Sequence, residues 1–101
     1  MTRALHDLLN EVDPKDPGES KLYTMDWTSA LNSGATISTS VWTIVPTGLT
    51  NDTDGIVSGS TKTSIRVSGG KPGTDYELTN TVTTSDSETL QRTGIVRVRE
   101  R

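Results

Sequence analysis

The sequence predicts an all-β protein, two antiparallel layers packed face to face, and three observations lead there. Threonine is concentrated in runs that alternate with apolar residues, the period of a half-buried strand. These runs are short and are separated by clusters of Gly, Pro, Asn, Asp and Ser, which mark turns. A turn rich in Gly and Pro, Gly69-Gly70-Lys71-Pro72-Gly73, hands over through Thr74-Asp75 to Tyr76 and then to a further alternating run. With 101 residues the chain is expected to form one modest core.

Residues 2–12 come first, TRALHDLLNEV, with Thr2 as a potential N-cap. Leu5, Leu8, Leu9 and Val12 fall at i, i+3, i+4 and i+7, which predicts a short amphipathic helix. So short a helix needs a surface for its stripe. It either folds onto the body or docks onto a partner, and fraying is the third outcome. Asp13-Pro14-Lys15-Asp16-Pro17-Gly18 ends it, because each proline drives the preceding residue toward extended backbone. Residues 1–20 are therefore read as an N-terminal arm, helical or extended, and residues 21–101 as the body.

In the body, residues 21–28 form the first expected strand, with Tyr23, Met25 and Trp27 on one face. Thr36-Ile37 starts a short second segment. Residues 40–45 form the next strand, placing Trp42 and Ile44 opposite Val41, Thr43 and Val45, and Pro46 closes it. Leu49 and Ile56 sit in a Thr/Asp/Gly-rich stretch whose weak pattern reads as a connection. Residues 61–68 alternate cleanly, with Thr63, Ile65 and Val67 on one side. Residues 75–84 put Tyr76, Leu78, Asn80 and Val82 on one face. Ser85-Asp86-Ser87-Glu88 is a hairpin turn, and residues 89–99 are the last strand. Six or seven short strands result. Trp27, Trp42, Ile65, Val67, Tyr76, Leu78, Val82, Val96 and Val98 are the expected core, with Trp42 as its central tryptophan. The spacing, and a tyrosine placed to tie a loop to a late strand, match an immunoglobulin- or fibronectin-III-like Greek-key sandwich. That fold hosts many functions and names none.

Composition narrows the function. No cysteine is present, which excludes disulfides, thiol catalysis and thiolate metal sites. The single histidine, His6, has no partner for a triad or a metal centre. Asn51-Asp52-Thr53-Asp54-Gly55 opens like a calcium loop but has no glutamate to close it. No carboxylate pair or phosphate-cradling loop stands out, so neither an enzyme nor a cofactor is expected. Asn51-Asp52-Thr53 matches the glycosylation pattern, yet nothing resembling a secretory signal accompanies it. A net charge of −3 without a broad basic patch disfavours nucleic acid, and no apolar run approaches a membrane span. The basic end, Arg97, Arg99 and Arg101, is either a solvated strand or a contact for an acidic partner.

Four stretches, taken in order, carry a resemblance. They are Lys15-Asp16-Pro17-Gly18-Glu19; Tyr23-Thr24-Met25-Asp26-Trp27; Ile37-Ser38-Thr39-Ser40-Val41-Trp42-Thr43; and Val67-Ser68-Gly69-Gly70 followed by residues 73–80, GTDYELTN. No single stretch is specific, but their order resembles small proteins encoded among the virion structural genes of tailed bacteriophages and prophages. Some of these are described as fibre–tail adaptors. The resemblance spans residues 13–101, and residues 1–12 depart from it. It implies a non-enzymatic, immunoglobulin-like virion protein, assembled in the host bacterial cytoplasm, that docks on capsid, tail or fibre proteins. It leaves open the place in the particle: a fibre–tail or head–fibre adaptor, or a capsid decoration protein. A carbohydrate-binding adhesion sandwich is the alternative from another class, and it needs exposed aromatic rings. For an adaptor, Leu5, Leu8, Leu9 and Val12 are the expected anchors, and Arg97, Arg99 and Arg101 the expected rim contacts. Several copies are expected to assemble in the particle, because a core this small gains from partners.

Overall fold

The computed structural model describes residues 15–99, and these are all-β, without a helix. Six strands follow one another: β1 (Ser20–Asp26), β2 (Ile37–Val45), β3 (Leu49–Ile56), β4 (Lys62–Gly69), β5 (Thr74–Thr84) and β6 (Thr89–Val98). They form two three-stranded sheets, ordered β1-β4-β3 and β2-β5-β6, in which every pairing is antiparallel. The sheets pack as a β-sandwich. The expected helix over residues 2–12 lies outside the described residues.

Strand alternation builds the core directly. Tyr23, Met25 and Trp27, then Thr63, Ile65 and Val67, face inward from one sheet. Trp42, Tyr76, Leu78, Asn80, Val82, Val96 and Val98 face them from the other. All nine residues expected in the core are buried, and Tyr23, Met25, Ile37 and Leu49 join them.

Three expectations need correction. The stretch read as a connection is the edge strand β3. Its alternation fails because a bulge between Asn51 and Thr53 shifts its register against β4. Thr36-Ile37 does not open a separate segment: Ile37 begins β2, and a bulge between Ile37 and Thr39 broke the period in the sequence. Finally, Trp27, not Trp42, is the more deeply buried indole, 1% against 9% exposed.

Trp27 sits at the centre of a polar bridge between the sheets. Its Nε1–H points at Thr63 Oγ1 (3.2 Å) and Asn80 Oδ1 (3.1 Å), and the Thr63 hydroxyl donates to Asn80 Oδ1 at 2.6 Å. The Asn80 amide in turn donates to Ser40 Oγ (2.9 Å) and the Val41 carbonyl (3.1 Å). Each member has a partner, as burial of polar groups requires. The Arg92 guanidinium from β6 lies 4.9 Å from the Trp27 ring centroid and covers it, while donating to the Asp26 carbonyl. In a chain without cysteine, this network links the layers across the core.

Candidate docking surfaces

The antiparallel connectivity gives the sandwich two unlike poles. At one lie the β2–β3 and β4–β5 turns together with the two ends of the described chain. At the other lie the β1–β2 loop and the β3–β4 and β5–β6 turns.

The first pole is organised by Tyr76 and Lys15. The Lys71 backbone N–H donates to the Tyr76 hydroxyl at 2.9 Å, so the phenol ties the β4–β5 turn to the start of β5. Two glycines allow the close packing at this pole. At Gly48 (φ 126°) a Cβ would stand 2.8 Å from the Tyr76 hydroxyl, and at Gly70 (φ 101°) it would stand 2.7 Å from Val98 Cγ2. Tyr76→Phe keeps the ring and removes the acceptor. It should cost about 1–2 kcal/mol, read as a lower urea midpoint with an unchanged slope.

Lys15 joins the chain to β6 by a parallel bridge. Its N–H donates to the Arg97 carbonyl (2.8 Å), and the Arg99 N–H donates to its carbonyl (2.9 Å). Its side chain is fully buried, and Nζ donates to the Gly69 (2.6 Å) and Asp16 (2.9 Å) carbonyls. Burial lowers its pKa, and the nearby Glu19 and Asp16 carboxylates oppose that shift. Beyond it, residues 16–19 form a tight turn: the Asp16 N–H donates to Glu19 Oε1, and the Gly18 N–H to Asp16 Oδ1.

The basic rim read from the sequence is partly neutralised. Arg99 reaches Asp75 Oδ1 at 2.9 Å, and Arg97 Nε lies 4.0 Å from Asp75 Oδ2. Both pairs are exposed, so each contributes at most about 1 kcal/mol. Leu5, Leu8, Leu9, Val12 and Arg101 lie outside the described residues. The structure thus brings Arg97 and Arg99 together on the pole where residues 1–14 join the body.

At the second pole, Asn32 donates to Asp86 Oδ2 (2.7 Å) and the Thr84 hydroxyl to Asp86 Oδ1, locking the β1–β2 loop to the β5–β6 turn. The Thr84 hydroxyl, then Asn32, hold the Asp86 carboxyl below its ordinary pKa. An open groove of about 410 Å³ runs beside this contact, lined by Leu31, Ala35, Thr36 and Thr61 among others. Among the described residues no group of three or more His, Cys, Asp or Glu side chains could hold a metal ion. No helix of the described residues is long and apolar enough to cross a membrane.

A family model described as "Podophage GP4 fiber-tail adaptor protein gp77" matches residues 15–97. The chain belongs to this family. A phage adaptor family agrees with the resemblance read from the sequence, and it makes the protein a structural component of a virion. The adaptor match begins at Lys15 and ends at Arg97, two residues whose backbones are hydrogen-bonded to each other. The matched segment therefore covers Lys15 and the sandwich up to one residue short of the end of β6. A search of curated proteins finds no match.

Proposed function

We propose that this adaptor is a non-enzymatic joint between other virion proteins, fibre and tail or head and fibre, built on an immunoglobulin-like Greek-key sandwich. The family match carries the reading. The sheet orders β1-β4-β3 and β2-β5-β6 support the fold assignment. They correspond to the B-E-D and C-F-G sheets of a constant-type immunoglobulin domain without its first strand, and Tyr76 opens the strand equivalent to F. The two-pole layout supports the adaptor role, since a joint needs two separated contact regions on one rigid body.

In this reading the chain has two parts. The arm, residues 1–20, grips one neighbour through Leu5, Leu8, Leu9 and Val12, and Arg97, Arg99 and Arg101 supply polar contacts beside it. The sandwich, residues 21–101, is the spacer, present in several copies set by the particle's symmetry and assembled in the host cytoplasm. The carbohydrate-binding alternative loses its support, because Tyr23, Trp27, Trp42 and Tyr76, all the aromatic residues of the chain, are buried.

Removal of residues 1–12 tests the arm. The truncated protein should keep its β-sheet circular dichroism and its cooperative melt, and should fail to enter particles. Unchanged incorporation would refute the anchor. Localisation of the full chain in intact particles separates a joint from a capsid decoration.

A further inference from the structure

We propose that β2 is the edge through which two copies of this chain pair, antiparallel about a two-fold axis at Thr43. Each open sheet has two edges, and an unguarded edge is a template for another strand. Three of the four are guarded. β3 carries Asp52, Asp54 and a bulge. β1 carries Lys21 and ends on Asp26. β6 carries Arg92, Gly94 and Arg97, and Lys15 bridges its last residue, Val98. β2 has the sequence ISTSVWTIV, with no charge, no proline and no glycine, and among the described residues it pairs only with β5.

The occupant follows from the pattern on that edge. Among the described residues the exposed large hydrophobics are Leu22, Val41 and Val45, and two of them stand on β2, two residues either side of Thr43. A second copy laid antiparallel with Thr43 opposite its own equivalent sets Val41 against the partner copy's Val45, and Val45 against its Val41. Threonine meets threonine at the axis. On the other face of the strand, half-buried Ile44 meets Trp42. β-Branched cross-strand pairs of this kind stabilise an antiparallel ladder. The regular edge is residues 39–45, bounded by the bulge before Thr39 and by Pro46. Within it, this register is the one that matches both exposed valines with valines. An isologous contact of this sort closes on itself and gives a dimer.

The pairing deepens the multi-copy part of the proposed function but is a property of the purified chain. Its failure in solution would leave the arm test standing, and failure of the arm test would leave the pairing standing. One short strand edge buries less than the ~1,200 Å² of a standard interface, so the contact is weak and is sought up to about 1 mM.

Sedimentation equilibrium of the full chain should show the mass rising toward twice the monomer as concentration increases. Val41→Lys and Val45→Glu should each weaken association by about tenfold or more. Both sites are more than half exposed, so circular dichroism and melting should be unchanged. An equimolar mixture of the two variants should associate again, because Lys and Glu then face each other once across the axis. V41K/V45E in one chain should also associate, through two such pairs. A wild-type monomer at every concentration overturns the proposal. So does a dimer that both single variants leave intact, and so does the absence of rescue in the mixture and the double variant.

Discussion

Trp27→Ala should leave the chain unfolded at 25 °C, with no cooperative melt and with the spectrum of a coil. The indole is 1% exposed and is the largest of the fully buried side chains. Truncating a buried tryptophan costs about 3–5 kcal/mol from lost transfer energy and the cavity left behind. Here it also removes a donor to Asn80 Oδ1 and Thr63 Oγ1, and it uncovers the site over which Arg92 is stacked. A domain of this size holds about 5–15 kcal/mol in all, and with few large apolar residues this one belongs at the lower end. Trp27→Phe separates the two contributions. It keeps most of the ring and loses the N–H, while Thr63 still donates to Asn80. That variant should fold and lose about 1–2 kcal/mol in urea. A folded Trp27→Ala protein with near-native stability would mean that the sheets are held together elsewhere.

The polar bridge explains how a sandwich with no disulfide fixes the offset between its layers. Asn80 belongs to β5, Ser40 and Val41 to β2, Thr63 to β4, and Trp27 follows β1, so the network joins both strand pairs. Apolar contacts tolerate sliding, whereas these hydrogen bonds are satisfied in one alignment. Leaving any of these groups unpartnered in the core carries a desolvation cost.

Much of this was readable from the residues alone, for a geometric reason. Successive side chains on a strand point to opposite faces, so the inner faces of β1, β4 and β5 follow from alternation once the strands are placed. Tyr76 was legible because a Gly/Pro turn precedes it. β3 was not, because Asp52 and Thr53 are solvated at an edge and the bulge at Asn51/Thr53 dephases the pattern. The rank of the two tryptophans was also hidden. Period places both inward, and only the partners, Thr63 and Asn80 against none for the Trp42 N–H among the described residues, distinguish them. Lys15 left no local trace at all. Its carbonyl acceptor on Gly69 lies 54 residues away, and a lysine between two prolines reads as solvent-facing. Of the expected contact residues, Arg97 and Arg99 stood out in the sequence as a basic chain end, but their shared counter-ion Asp75 is visible only through the β5–β6 register.

Lys15→Ala should cost about 3 kcal/mol, the second largest loss expected of a single change. The side chain is fully buried, so its removal leaves a cavity and strips the Gly69 carbonyl of a charged donor. Lys15→Met keeps the stem and removes only the charge, so the urea midpoints should rank wild type above Met above Ala. Methionine matching wild type would show that packing, not the ammonium, holds the position, as happens when a buried charge is costly to desolvate. The pH dependence gives an independent reading. The folded pKa is lowered below 10.5, so the unfolded chain binds more protons as that range is approached. Wild-type stability relative to Lys15→Met should therefore rise as pH climbs toward 10.5, the cost of holding the charge being present in full at neutral pH and lost above it. Amide exchange locates the damage. The Arg99 N–H, bonded to the Lys15 carbonyl, should exchange faster in the Ala variant, while the Lys71 N–H on Tyr76 should change less. In the function proposed above the arm reaches the sandwich through this residue, so the same variant should also lower particle incorporation at temperatures where the sandwich itself stays folded.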